Sequence, residues 1–327
     1  MSEDIDTSDS TTLPPDDAFA VLGNETRMDI LRTLGEADAP LSFSELRDGV
    51  GMRDSGQFSY HLERVVGHFV RKGDDGYALH QAGRRIVEAV LSGAVTESPV
   101  VAPTRIDHPC HYCGSPVEVS FRTDRVVKYC TECAGKSGSP TDEGGRFVPR
   151  DDGYLGALPL PSAGIRNRTI TEVFEAAWTW TNLELLTEAS GMCSRCSAPL
   201  EESVNVCEPH DADDGLCDRC DSRYAVEFHA TCTNCINDLR GPFVLGLVAD
   251  TDLLAFLLDH DLDPVAPSRE AVYEVDRIHM NYDEEVRSVD PFEARFTFTA
   301  GGEALALTVD DDLSVIDATR RETSESA

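Results

Sequence analysis

Through the first hundred residues the apolar positions recur at spacings of three and four, the period of a helix with one buried face. DDAFAVL, from Asp16, opens the pattern, and Gly23-Asn24 breaks it. ETRMDILRTL resumes it, with Met28, Ile30, Leu31 and Leu34 on the buried side. SFSELRDGV starts on Ser42 with Glu45 three positions later, the capping-box spacing. Gly49-Val50-Gly51 then gives a tight turn before DSGQFSYHLERVVGHFVRK, Asp54 to Lys72. Here Phe58, Leu62, Val65, Val66 and Phe69 form the buried face of a helix from Gln57 to Phe69, with Asp54 and Ser55 as natural N-caps and Gly67 as its stop. The period next changes from helical to extended. Asp74-Asp75-Gly76 sits between two short extended runs, so FVRKGDDGYALH reads as a hairpin with Arg71 and Lys72 at its base. A last helix starts near Gln81. Helix, Gly-containing turn, helix is the helix-turn-helix order.

The polar face of the Asp54 helix holds Ser55, Gln57, Ser59, Tyr60, His61 and Arg64. Its plain reading is a solvated surface. The sharper one is that hydroxyl, amide, imidazole and guanidinium groups on one helix face can meet base edges in a DNA major groove.

Beyond residue 95 the pattern changes. Residues 96–109 are rich in Pro and lack periodicity, so they read as a linker. GSPVEVSFRTDRVVKY alternates like two strands around Thr123-Asp124. Residues 135–167 read as a second linker, and Thr169 to Ala189 as a helix with Phe174, Trp178, Leu185 and Leu186 on its packing face. From Gly241, PFVLGLVADTDLLAFLLDHDLDP reads as an apolar segment and helix. FEARFTFTAGGEALALTVDDDLSVIDA reads as a hairpin turning at Gly301-Gly302, with Phe296 and Phe298 alternating against Leu305 and Leu307.

All eleven cysteines lie in this half. No export signal precedes them, which makes disulfides unexpected and metal binding the natural reading. Cys110/Cys113 and Cys130/Cys133 are two C-x2-C turns able to close one four-cysteine zinc site, a zinc ribbon. Unrelated surface turns with free thiols are the alternative. Cys193/Cys196, Cys207/His210, Cys217/Cys220 and Cys232/Cys235 share the same spacing, enough for two more sites of unassigned pairing. The alternative there is one zinc on the outer pairs, with Cys207, His210, Cys217 and Cys220 as bystanders or a weaker site. His229 is a rival ligand. About three zinc ions per chain are expected.

Catalysis is not expected. The ligands come in full fours, whereas a catalytic zinc keeps an open position, and no thioredoxin-like setting, phosphate loop or nucleophile motif appears.

The chain of 327 residues carries 60 acidic and 28 basic side chains, a formal charge of -32, and only three lysines, Lys72, Lys128 and Lys136. A hydrated acidic surface short of lysine suits high salt, where charge is screened within about 3 Å at 1 M. The acidity is therefore no argument against a nucleic-acid partner. Between Arg53 and Lys72 the balance reverses: Arg53, Arg64, Arg71 and Lys72 outnumber Asp54 and Glu63. No apolar window of about 18 residues and no signal peptide is present, so a cytoplasmic protein without a membrane partner is expected.

LGNETRMDILRTL, LSFSELRDGVGMRDSGQFSYHLERV and the hairpin resemble the ArsR-type winged-helix regulators, most closely their halophilic archaeal members, over about residues 16 to 95. The resemblance implies that Gln57, Ser59, Tyr60, His61 and Arg64 face the major groove and that Arg71 and Lys72 meet phosphate. Arg53 and Ser55, on the same stretch, complete the candidate DNA-contacting set. SFSELRDGV lacks the cysteine pair of the metal-sensing members, so metal sensing by that route is not implied.

The expectation is thus an α+β multi-domain chain. A tail (1–14) precedes a winged helix-turn-helix (15–95), the linker, a zinc ribbon (110–134) and the second linker. A zinc-stabilised α/β module ending in a β-hairpin (168–317) and a tail (318–327) follow. The expected function is a DNA-binding transcription regulator on double-stranded DNA. It would be a homodimer, with the zinc half serving an effector, a partner or dimerisation. A zinc-ribbon adaptor that contacts the transcription machinery or another protein, with the winged domain as its docking surface, is the alternative.

Overall fold

The computed structural model describes residues 13–136, 153–212, 215–265 and 268–323. The chain divides into two units, Met1–Glu97 and Ser98–Ala327.

In the first unit the elements follow in the order α1 (Pro15–Leu22), α2 (Glu25–Glu36), α3 (Phe43–Val50), α4 (Ser55–Val65), β1 (Val70–Gly73), β2 (Gly76–Leu79) and α5 (Gln81–Leu91). Three helices start where a side chain satisfies their free N–H groups. Asn24 accepts from Arg27, Ser42 and Glu45 form the reciprocal capping box, and Asp54 accepts from Gly56 and Gln57. Ile30, Leu31, Leu46, Phe58, Leu62, Val65 and Phe69 make the core. The α4 helix ends at Val65, short of the expected Phe69, because Val66 turns extended and Gly67 takes φ 99°. Phe69 is still buried, from the segment that leads into β1. β1 and β2 pair antiparallel through Asp74-Asp75, and Leu41 exchanges two backbone hydrogen bonds with Tyr77 on β2. That contact explains Gly76: its φ is 123°, and a Cβ there would stand 2.4 Å from the Leu41 carbonyl oxygen.

The second unit opens with a four-stranded antiparallel sheet in chain order, β3 (Val101–Pro109), β4 (Pro116–Arg122), β5 (Arg125–Cys130) and β6 (Tyr154–Pro159). Two of these strands lie in segments expected to be linkers. β3 occupies most of 96–109: Ile106 and His108 are buried while their neighbours are exposed, and its prolines sit on an edge strand, where a missing donor costs no ladder bond. β6 falls within 135–167, of which 137–152 lie outside the described residues. The β4–β5 turn is Thr123-Asp124, with φ 49° and 54°, held by Ser162 Oγ donating to Asp124 Oδ1 at 2.7 Å.

After a 3-10 turn (Ser162–Ile165), α6 (Ile170–Glu188) lays Val173, Phe174, Ala177 and Trp178 against Val117, Val119, Phe121 and Val126 of the sheet. Leu185 and Leu186, at its far end, pack on a separate core built around Phe228, Phe243 and Phe296. A three-stranded sheet follows, β7 (Leu200–Val206), β8 (Val226–Cys232) and β9 (Asp238–Pro242), then α7 (Val244–Leu247), α8 (Thr251–Asp259) and α9 (Arg269–Met280). The expected terminal hairpin is the centre of a larger sheet, β10 (Asp283–Val289), β11 (Phe292–Ala300), β12 (Glu303–Val309) and β13 (Val315–Glu322). Phe296 does pair with Leu307 and Phe298 with Leu305. β13 runs through the first residues of the expected tail because 303–309 pairs with 315–322. Phe228, Phe243, Phe256, Phe296 and Phe298 fill the core under this sheet, with Phe243 stacked on Phe296 at 4.4 Å. α9 buries Val272 and Val275 with the α6 and β4 side chains, and Ile278 in the phenylalanine core. The ribbon and the cysteine-rich module, expected as separate domains, are therefore one unit.

Candidate metal centres and candidate nucleic-acid interface

C-x2-C turns bring the cysteines together in three groups, each with its ligand atoms within 4.8 Å of one another: Cys110, Cys113, Cys130 and Cys133; Cys193, Cys196, Cys232 and Cys235; and Cys207, His210, Cys217 and Cys220. The pairing left open by the spacing is thus nested, with the histidine-containing group inside the loop that the outer four cysteines close. His229 joins none of them; its Nε2 lies 2.9 Å from Glu227.

The separations fit a tetrahedral ion. Zinc–sulfur bonds near 2.3 Å place two sulfurs roughly 3.8 Å apart. Cys110 and Cys133 are 3.8 Å apart, Cys113 and Cys130 3.5 Å, Cys193 and Cys235 3.7 Å, and Cys196 and Cys232 3.5 Å. A disulfide would need about 2.05 Å, and all eleven thiols are free.

The turns also supply donors to sulfur. Glu132 and Cys133 N–H donate to Cys130 Sγ at 3.4 and 3.3 Å, and Asn234 and Cys235 N–H donate to Cys232 Sγ at 3.4 and 3.3 Å. In each cluster one thiol is brought down to about 6. For Cys113, burial pushes up, and donors from Ser115, Cys130 and Cys133 outweigh it. For Cys196 the Ala198 N–H dominates, and for Cys217 the Asp211 N–H. A thiolate already formed at neutral pH is the ligand a metal ion meets first.

β7 and β8 set the distance between the two nested clusters. Leu200 pairs with Cys232 at one end of their ladder, and Val206 with Val226 at the other. Glu188, at the end of α6, accepts from Ser194 Oγ at 2.6 Å and Asn237 Nδ2 at 2.7 Å, and so steadies both turns of the outer cluster.

A group that the spacing did not reveal backs the first cluster. His111 Nδ1 lies 2.8 Å from Asp276 Oδ2 on α9, and Lys128 Nζ donates to the same oxygen at 2.6 Å. Burial alone would raise the Asp276 carboxyl, but Lys128 and His111 hold it well below the usual carboxylate range. The scarcity of lysine in an acidic chain was the available signal: Lys128 is buried.

In the first unit, Arg53, Ser55, Gln57, Tyr60, Arg64, Arg71 and Lys72 are exposed. Arg64 stands over the Tyr60 ring at 5.3 Å, and Lys72 over Tyr77 at 5.6 Å. Ser59 and His61 are only half-exposed: Ser59 Oγ donates to Glu63 at 3.1 Å, and His61 Nδ1 is buried without a partner among the described residues. The outward face is therefore narrower than the full candidate set. No helix among the described residues is long and apolar enough to cross a membrane.

No curated protein and no solved structure matches the chain. The family described as Domain of unknown function (DUF7347) matches residues 15–90, within the first unit. A second family, Domain of unknown function (DUF7351), matches residues 107–315 and takes in all three cysteine clusters and the strands from β4 to β12. That match covers more than half of the chain, and the chain belongs to the DUF7351 family.

Proposed function

We propose that this chain is a DNA-binding transcription regulator that docks α4 in a major groove and braces β1 and β2 against phosphate. The observation that carries the reading is the exposed set Gln57, Tyr60 and Arg64 on α4 beside Arg71 and Lys72 on β1, a basic island in a chain of charge -32. Under this reading the first unit is a winged helix-turn-helix of ArsR type. It works as a dimer on double-stranded DNA in a salt-adapted cytoplasm. Arg64 is placed to reach a base edge, and Arg71 and Lys72 to reach phosphate.

The three clusters are zinc sites in this proposal. Zinc, when bound, supplies folding free energy to turns that bury few apolar side chains. Cys110, Cys113, Cys130 and Cys133 would hold one ion, Cys193, Cys196, Cys232 and Cys235 a second, and Cys207, His210, Cys217 and Cys220 a third. Four protein ligands per cluster leave no open position, which supports a structural, non-catalytic role.

The test is a fluorescence-polarisation or gel-shift measurement in molar KCl, with fragments from upstream of the chain's own gene against random competitor. Saturable, competitor-resistant binding is expected. Binding no tighter than to random DNA across those fragments would sink the proposal.

A second reading, a zinc-ribbon adaptor, draws on one observation. Ile236 is 94% exposed beside Cys235, and Met192, Trp180 and Leu183 are also exposed on or near the same end of α6. An adaptor would retain its protein partner when Arg64 is changed.

A further inference from the structure

The histidine of the inner cluster is not positioned by its own loop. Its Nε2 lies 3.2 Å from the Arg223 carbonyl oxygen. A carbonyl only accepts, so Nε2 carries the proton, and Nδ1 presents its lone pair 3.5 Å from Cys220 Sγ. Arg223 is in turn seated by the first cluster. Its guanidinium carbon stands 4.4 Å from the centre of the Tyr112 ring, which lies between Cys110 and Cys113. Its Nε donates to the Gly135 carbonyl, and its backbone N–H donates to the Lys136 carbonyl at 3.1 Å. Gly135 and Lys136 directly follow the turn that ends in Cys133 and Ala134.

The next two residues repeat the link. Tyr224 O–H donates to the Met280 carbonyl at 2.7 Å, so at 2.6 Å the Tyr112 hydroxyl is the donor to Tyr224. Cys207 N–H donates to the Ala225 carbonyl at 2.8 Å. Residues 223–225 thus touch the first cluster's turns on one side and two ligands of the inner cluster, His210 and Cys207, on the other.

We propose that the Cys110 and Cys207 clusters form one coupled metal-binding system in which Arg223 is the positioning residue for the ligand His210. The inference rests on reading the clusters as metal sites. An ion on Cys110, Cys113, Cys130 and Cys133 closes both turns and fixes the Tyr112 ring and the Gly135 and Lys136 carbonyls. Arg223 is then already seated, so less ordering cost remains when the inner site fills. By linkage, an ion in the inner site tightens the first by the same factor. The outer cluster's turns lean instead on Glu188 of α6 and serve as an internal reference.

Cobalt(II) is the probe, titrated into the full-length protein in molar KCl against a competing chelator. Absorption of the three-sulfur, one-nitrogen site is read separately from that of the four-sulfur sites. In a Cys113→Ser/Cys130→Ser variant the inner site should weaken by between about 5- and 150-fold while the outer site is unchanged. In Arg223→Ala the inner site should already be weaker, and adding the two serines should weaken it little further. Equal inner-site affinity with and without the first cluster would overturn the proposal. So would an Arg223→Ala loss spread equally over all three sites, since that is general destabilisation. If no sulfur-to-cobalt band forms, both the coupling and the metal reading fall.

Discussion

Arg64 and Tyr60 stand one turn apart on α4, with the guanidinium over the ring. Stacking of that kind orients the planar fork in advance, so that docking on DNA as proposed would cost less side-chain freedom. Arg64→Ala should weaken specific binding by about 1 to 3 kcal/mol at matched salt, with little effect on random DNA. Equal losses on both would place Arg64 at phosphate instead. His279 makes a different prediction. It is buried on α9 with Nε2 unpartnered among the described residues, and desolvation brings it down to about 4, with Asp276 working weakly the other way. The folded state thus refuses a proton that the unfolded chain takes near 6.5. The resulting stability is fully present above about pH 6.5 and is lost as pH falls from there toward 4. Glu284 acts oppositely: burial pushes its carboxyl up to about 7, so its contribution falls as pH rises from about 4.5 toward 7. The test must therefore compare variants. Between pH 7.5 and 5.5 the urea stability of wild type should fall by about 1 kcal/mol more than that of His279→Gln. Parallel pH profiles would show that His279 ionises freely in the folded protein.

At the scale of elements, metal removal separates what the cysteines hold from what apolar packing holds. β11 and β12 put Phe296, Phe298, Leu305 and Leu307 into a core with no ligand in it, and Val226 and Phe228 tie β8 to the same core. Each such side chain contributes about 1.5 to 3 kcal/mol when buried. Chelation should therefore erase hydrogen-exchange protection in the turns at 193–199, 207–212, 215–222 and 232–237 while β11, β12 and the first unit keep theirs. Protection surviving in those turns would show that the cysteines do not hold them. The same contrast explains which elements could be read from the sequence. Ser42 with Glu45, the Thr169 helix, and the Phe296/Phe298 alternation against Leu305/Leu307 are local signals that tertiary context leaves standing. β3, β6 and β13 were hidden because edge strands tolerate Pro, Gly and charge and show no full alternation. α9 was hidden because its apolar residues, Val272, Val275 and Ile278, serve two cores and sit among Glu, Asp and Arg. The twelve ligands were legible in the C-x2-C spacing, whereas the sorting of eight of them into two nested clusters was not, because all four pairs share that spacing. Arg223 and Asp276 were not, since their partners lie 88 and 165 residues away.

For the whole molecule, charge and metal content set the remaining expectations. If the chain, of charge -32, works in molar salt as proposed, it cannot draw on counterion release, and specific DNA affinity would have to come from base contacts and shape. Its dependence on KCl between roughly 1 M and 3 M should be shallow, and a steep loss would show that phosphate contacts dominate. Elemental analysis should return about three zinc ions per chain. A value near two would remove the inner cluster from the set. A single strand, β7, separates that cluster from the Cys193 and Cys196 turn of the outer one. Eight ligands in one short stretch could combine in several ways. β7, at seven residues, spans roughly 20 Å when extended. Paired with β8 in the finished fold, it holds the Cys193 and Cys196 turn apart from Cys207 and His210. Shortening β7 by two residues should therefore bring the two turns closer and let ligands of one cluster reach an ion in the other, a change the cobalt(II) spectrum of the variant would record.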